Sequence, residues 1–239
     1  MGLYYNGKKV RNLYFNGKCI TRLALGKEMT RLVEGDDFET AEWLCGRNGA
    51  YIDTRYVPIP NEDSFRFKIN NNGFWKNPNN ADPHVFGVYS PRIRFGTFAS
   101  VENRYFFQYS NVVAEAAPYF TSPDYIQEVT LFNDGAKTKC IANGIESEYE
   151  TTITEQFNYS IWLYAINNTP SKYFHGDIAY FSIEPNKIRM TPCRLLRPIP
   201  ATLDANGIAR NAGDCGMYDA VSGKFFGNVG SGSFTVSDN

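Results

Sequence analysis

Apolar and polar residues alternate with a period of two over most of this chain, the spacing at which every second side chain falls on one face of a strand. Ser64 to Ile69 (SFRFKI) is the cleanest case, with Phe65, Phe67 and Ile69 on one face and Arg66 and Lys68 on the other. In Arg92 to Phe98, Arg92 and Arg94 alternate with Ile93 and Phe95. Ala50 to Val57, Val85 to Tyr89, Arg104 to Tyr109, Asp177 to Ile183, Lys187 to Met190 and Arg194 to Leu196 are further short runs rich in aromatic and β-branched residues. Gly, Pro and Asn clusters separate such runs, which is the signature of strands joined by turns. Tyr125 to Phe132, the turn Asn133-Asp134-Gly135 and Ala136 to Ala142 predict a hairpin. Asn143-Gly144 predicts another, because both central positions of a type I′ turn take positive φ. Tyr159 to Ile166 (YSIWLYAI) is almost wholly apolar and predicts a central strand covered on both faces. The acidic run Glu34 to Thr40 reads as a linker or a helix start, in which Asp36 or Asp37 would cap a short helix reaching Trp43 and Leu44, the one helix predicted. Roughly ten to twelve short strands without helical insertions imply an all-β, two-sheet antiparallel sandwich.

The first 33 residues repeat. LYYNGKKVRN, LYFNGKCITR and LALGKEMTRL begin at Leu3, Leu13 and Leu23 and turn at Gly7, Gly17 and Gly26. Asn6-Gly7 and Asn16-Gly17 predict type I′ hairpins. A two-stranded ribbon is too thin to bury its own apolar face. Residues 1–35 are therefore expected to be a hairpin arm for anchoring or oligomerisation, and residues 36–239 the main β domain. A decorative edge hairpin of that domain is the alternative.

Composition narrows the function classes. With 18 Phe, 16 Tyr and 3 Trp in 239 residues, a large aromatic core is available. The 24 basic residues against 25 acidic ones leave no net field for nucleic acid or an anionic membrane. No apolar run reaches the ~18 residues of a membrane span. The start, MGLYYNGKKV, has no apolar h-region and does not look like a secretory signal. Cys19, Cys45, Cys140, Cys193 and Cys215 are odd in number and contain no CxxC. That pattern argues against a zinc site or a disulfide framework, and for free thiols buried as small hydrophobes in a reducing cytoplasm.

Catalytic patterns are sparse. His84, beside Pro83, and His175, before Gly176, neighbour no nucleophile signature and read as exposed loop residues with no metal motif. Glu146, Glu148 and Glu150 (ESEYE) share a strand face, but no Asp stands between them and no Trp is near, so they read as a solvated face. No catalytic, cofactor-binding or metal-ligating residue is assigned, although Asn79, Asn80 and Asp82 have the oxygen chemistry of calcium ligands. The Asn-rich loop from Asn70 to Pro83 sets Phe74 and Trp75 among amides. Asn72, Phe74, Trp75 and Asn77 are thus the candidate glycan contacts, with anchoring of the loop to the core as the competing role of the two rings. The sequons at Asn158 and Asn167 matter only if the chain enters a secretory pathway.

The order of a long loop, a DG hairpin, a YSIWLYAIN strand and a GDIAYFSIEPN strand resembles the concanavalin A-like lectin and glucanase jelly roll, including its laminin-G-like branch. The ending, HGDIAYFSIEPNKIRMTPCR and then GMYDAVSGKFFGNVGSGSF, is similar to a phrase in virion and tail-associated proteins of tailed phages infecting gut bacteria, crAss-like phages among them. It keeps Pro192, Cys193, Arg194, Gly216, Tyr218, Asp219, Gly223, Lys224, Phe225, Gly230 and Gly232, and departs in the longer connection from Leu196 to Gly213. The likeness covers residues 50–236 at the level of fold and 175–236 at the level of motif. It implies a jelly roll in a non-enzymatic virion structural protein: a capsid decoration or auxiliary protein, a fibre or a tail-associated module, assembled in the bacterial host cytoplasm. The arm would meet other virion proteins or further copies of the chain, without nucleic acid, membrane or cofactor. Two other roles go with the same fold. One is an adhesin for host-surface glycans; the other is a glucanase-like hydrolase, which the missing E-x-D-x-(x)-E strand motif disfavours.

Overall fold

The computed structural model describes residues 37–70, 83–89, 92–97, 104–110, 112–116, 126–167 and 173–237, together with the strand backbone at 4–5, 8–9, 13–15 and 18–20. Strands β1 (Tyr4–Tyr5) and β2 (Lys8–Lys9) form one hairpin, and β3 (Leu13–Phe15) and β4 (Lys18–Ile20) another. Tyr5 pairs with Lys8 and Phe15 with Lys18, so each pair of strands runs antiparallel; the Asn-Gly turn residues themselves lie outside the described residues. The remaining strands up to the middle of the chain are β5 (Phe38–Thr40), β6 (Trp43–Arg47), β7 (Ile52–Asp53), β8 (Ser64–Asn70), β9 (His84–Val88), β10 (Ile93–Thr97), β11 (Tyr105–Tyr109) and β12 (Val112–Ala116). They are followed by β13 (Ile126–Asn133), β14 (Lys137–Ala142), β15 (Ile145–Glu150), β16 (Trp162–Leu163), β17 (Asp177–Glu184), β18 (Ile188–Leu195), β19 (Cys215–Asp219), β20 (Lys224–Gly227) and β21 (Ser233–Ser237).

Two antiparallel sheets face each other as an all-β jelly-roll sandwich. The smaller runs β12-β11-β10-β9-β16-β7. The larger runs β15-β14-β13-β8-β17-β18-β19-β20, with β5 beside β18, β6 beside β17, and β21 beside β6. Phe65, Phe67 and Ile69 of β8 all point inward and are fully buried, as their alternation requires. Phe67 meets Phe86 and Phe95 of the facing sheet edge-on, at centroid distances of 5.1 and 5.0 Å. Tyr149 of β15 ties the sheets together at one side: its hydroxyl accepts from Tyr109 N at 2.7 Å and donates to Tyr109 O at 3.0 Å. Asn143 and Gly144 have φ of 48° and 81°, the left-handed pair their turn was expected to need.

Four expectations are corrected. The helix near Asp37 is absent: Phe38–Thr40 pairs with β18 and Trp43–Arg47 with β17 and β21. Strand partners on both sides of β6 satisfy its backbone and bury Trp43 and Leu44, so tertiary pairing overrides the cap signal. Tyr159 to Ile166 is not one long strand, because only Trp162–Leu163 pairs and Tyr164 turns the chain with φ of 67°. Ala50 to Val57 likewise contributes only Ile52–Asp53, since Arg55 takes φ of 58°. Finally, the runs predicted at Lys187 to Met190 and Arg194 to Leu196 are parts of one continuous strand, β18, which spans Ile188–Leu195. Cys45, Cys140 and Cys193 are buried free thiols and Cys215 is half-buried; the side chain of Cys19 lies outside the described residues.

Candidate functional site: the outer face of the six-stranded sheet

Phe86, Phe95 and Phe107 of the smaller sheet point into the core with Val88, Ile93, Tyr105 and Tyr109, so Gly87, Arg94, Phe106 and Gln108 between them face outward. Register places Asp53, Trp162, Gly87, Arg94, Gln108 and Val113 in one row that crosses all six strands. A β-bulge adds to it. Phe95 pairs with Phe86 but Gly96 pairs with His84, skipping Val85, which turns His84 onto the outer face beside Phe106. His84 is thus a fully buried strand residue and not the exposed loop histidine expected. His175 is half-buried, and its carbonyl oxygen accepts from Arg47 Nη1 at 2.5 Å.

Arg94 organises the middle of this face. Its Nη1 lies 2.8 Å from His84 Nε2, and its Nε donates to Gln108 Oε1 at 2.5 Å. A guanidinium has only N–H groups to offer, so His84 Nε2 accepts and the ring proton sits on Nδ1. Gln108 passes the chain on to Ser110 O at 2.8 Å. Phe106 forms the floor, with the Arg94 guanidinium 5.0 Å above its centroid and the His84 ring edge-on at 5.5 Å. Both contacts suit the electron-rich face of the ring. His84 therefore faces a cation and an aromatic ring, an arrangement that orients polar groups.

Toward the β7 edge the face becomes aromatic. Tyr51 stacks on Trp162 with centroids 4.2 Å apart and planes 17° from parallel, and both rings are half-buried. Burial, and then Tyr173 and Asp53 nearby, push the Tyr51 hydroxyl above the ordinary tyrosine range, with Arg55 partly opposing them. Beside it Arg55 is held between Asp53 Oδ2 at 3.4 Å and Asn206 Oδ1 at 2.7 Å. Gly87 stands between Trp162 and Arg94 in the row. A Cβ there would meet Arg94 Cβ and Ile93 O at 2.8 Å each, so the position stays without a side chain. The half-exposed rings of Tyr51 and Trp162 suit a ligand with one flat apolar face, whereas Gly87, His84, Gln108 and Phe106 are buried beside them.

The sequence-derived site falls elsewhere. Asn72, Phe74, Trp75 and Asn77, and the oxygen residues Asn79, Asn80 and Asp82, lie outside the described residues. Glu146, Glu148 and Glu150 do share an exposed face of β15, as expected. Lys137 reaches Glu148 at 2.5 Å and Glu150 at 3.4 Å, and Lys139 reaches Glu146 at 3.9 Å. Among the described residues no three His, Cys, Asp or Glu side chains gather as a metal site. The Tyr51, Trp162, Arg94, His84 and Gln108 face was missed because it draws on four strands and the residue before a fifth. Its only sequence signal was the outward parity of Arg94 opposite Phe95.

Fold and site together define an all-β jelly-roll module with a polar and aromatic outer face. No protein-family model matches the chain, and no curated protein matches its sequence. Among solved structures it is similar to domains LG4-5 of the mouse laminin alpha1 chain, with 10% identity and a TM-score of 0.43. The match covers 68% of this chain and 47% of that one, so it spans about half the length of the laminin structure.

Proposed function

We infer that this chain is a non-enzymatic structural module of a tailed-phage particle, attached through its N-terminal arm with the jelly roll facing outward. One observation carries this reading: among the described residues the β1-β2 and β3-β4 hairpins are separate two-stranded sheets, and none of their strands pairs with a strand of the sandwich. Ribbons of that size need a partner surface to be stable. The GMYDAVSGKFFGNVGSGSF ending supplies the phage setting by its resemblance. A structural role is further supported by Glu148, which the Lys137 hydrogen bond holds below the ordinary glutamate range, opposite to what a general acid needs. Deleting residues 1–33 should leave a body with unchanged far-UV circular dichroism that no longer enters particles or oligomers. Retained incorporation would sink the arm assignment.

The Tyr51–Trp162 stack favours a second reading, recognition of host-surface glycans. Aromatic faces bind the apolar faces of sugar rings, and Arg94 and Arg55 lie on either side of the pair to orient hydroxyls. In that case Trp162→Ala should weaken binding on a glycan array about tenfold or more, on the scale of one lost ring contact. A silent array at millimolar ligand with the intact protein would dismiss it.

A further inference from the structure

The near-zero net charge of the chain conceals a segregation. Residues 1–33 hold seven basic side chains (Lys8, Lys9, Arg11, Lys18, Arg22, Lys27 and Arg31) and a single acidic one, Glu28, a net charge of +6. The whole chain carries −1, so residues 34–239 carry −7. Each repeat places a lysine directly after its turn glycine: Lys8 after Gly7, Lys18 after Gly17 and Lys27 after Gly26. Of these, Lys8 opens β2 and Lys18 opens β4.

Part of the body's negative charge stands in an ordered row. Strand β15 ends the larger sheet and pairs only with β14 among the described strands. Its Glu146, Glu148 and Glu150 stand at alternate positions, about 7 Å apart along the strand. Asp134 joins them through Lys139, so four carboxylates share two ammonium groups, Lys137 and Lys139. Glu150 is the most exposed, at 78% of its side chain, with Lys137 3.4 Å away. An acidic row at a sheet edge repels a second copy of the same edge, while a basic ribbon is attracted to it.

We propose that the basic arm of one copy docks on the acidic β14-β15 face of a second copy. The contact is heterologous, arm to body, so repetition closes a ring or runs on as a fibre. This rests on the reading of residues 1–33 as an attachment arm, and adds the surface that receives it.

A charge swap in the full-length chain tests it. One variant carries K8E, K9E and K18E; the other carries E146K, E148K and E150K, the last three at exposed positions of β15. Circular dichroism first confirms that both remain folded. In sedimentation at low salt, the native chain should self-associate and dissociate as salt screens the charges. Each variant alone should associate roughly tenfold more weakly or worse, and an equimolar mixture should recover association, because the reversed arm meets the reversed face. If the arm variant loses association while the Glu-to-Lys variant keeps it, the arm reading stands and this acceptor face is refuted. If the arm variant keeps it, the arm reading itself fails. A native chain that stays monomeric, or one whose arm binds a DNA duplex in preference to a second copy, overturns the proposal.

Discussion

Glu148 shows how one neighbour decides the chemistry of a carboxylate. The hydrogen bond from Lys137 Nζ is the main cause of its lowered pKa, with the charges of Lys137 and Lys139 adding to it. A depressed folded value means that the folded chain favours the ionised form. The interaction is therefore present above the ordinary glutamate range and is lost as pH falls through the lower folded value. In a carboxyl-detected NMR titration Glu148 should ionise below that range and move back up in Lys137→Met. A value above the ordinary range in the native chain would reopen glycoside hydrolysis. Cys45 shows the opposite effect: burial, followed by hydrogen bonding to Asp177, pushes its thiol up to about 11, which makes it a core residue and a poor nucleophile at neutral pH.

Among the elements, the connection from Leu196 to Gly213 has the most to explain, since it is where the chain departs from the phrase it resembles. It folds around a buried ion pair. Asp204 accepts from Arg210 Nε at 2.8 Å and from Asn206 N at 2.8 Å, while Arg210 Nη1 donates to Asn228 O at 2.9 Å. The two side chains are 0% and 9% exposed respectively. Beneath them Cys193, Leu195, Ile199, Leu203 and Phe225 form a small second core. Arg210→Met would leave the Asp204 charge buried without its partner, at a cost of about 3–5 kcal/mol. Chemical denaturation should show this as a lower midpoint, and a loss under about 1 kcal/mol would mean that Asp204 is solvated after all. In the closing segment Gly230 works by close approach: a Cβ there would collide with the backbone oxygen of Gly49, so the turn needs its missing side chain more than any special φ.

At the scale of the whole molecule, aromatic rings set the distance between the sheets. Phe67 touches Phe86, Phe95 and Phe181 from the middle of the sandwich. Phe67→Ala removes a ring from close-packed surroundings and should cost about 3–5 kcal/mol, read as a lowered midpoint with an unchanged denaturant slope. The outer face of the smaller sheet exists only because this core fixes the parity of six strands. Arg94 points outward because Ile93 and Phe95 point inward. The charge segregation belongs to this scale too: a sum over all 239 residues is close to neutral, yet arm and body have opposite signs.

The sequence by itself determined the β class, the parity of strands such as Ser64 to Ile69 and the left-handed turn at Asn143-Gly144. Each of these depends on a residue and its immediate neighbours, through a backbone period of two or a φ that few side chains accept. The tertiary structure alone decided which strands lie side by side, as when β8 enters between β13 and β17. It also decided that a skipped Val85 turns His84 toward Arg94, and that Tyr164 breaks an apolar run by adopting φ of 67°. Those outcomes depend on contacts between residues far apart in the chain, and no local pattern contains them.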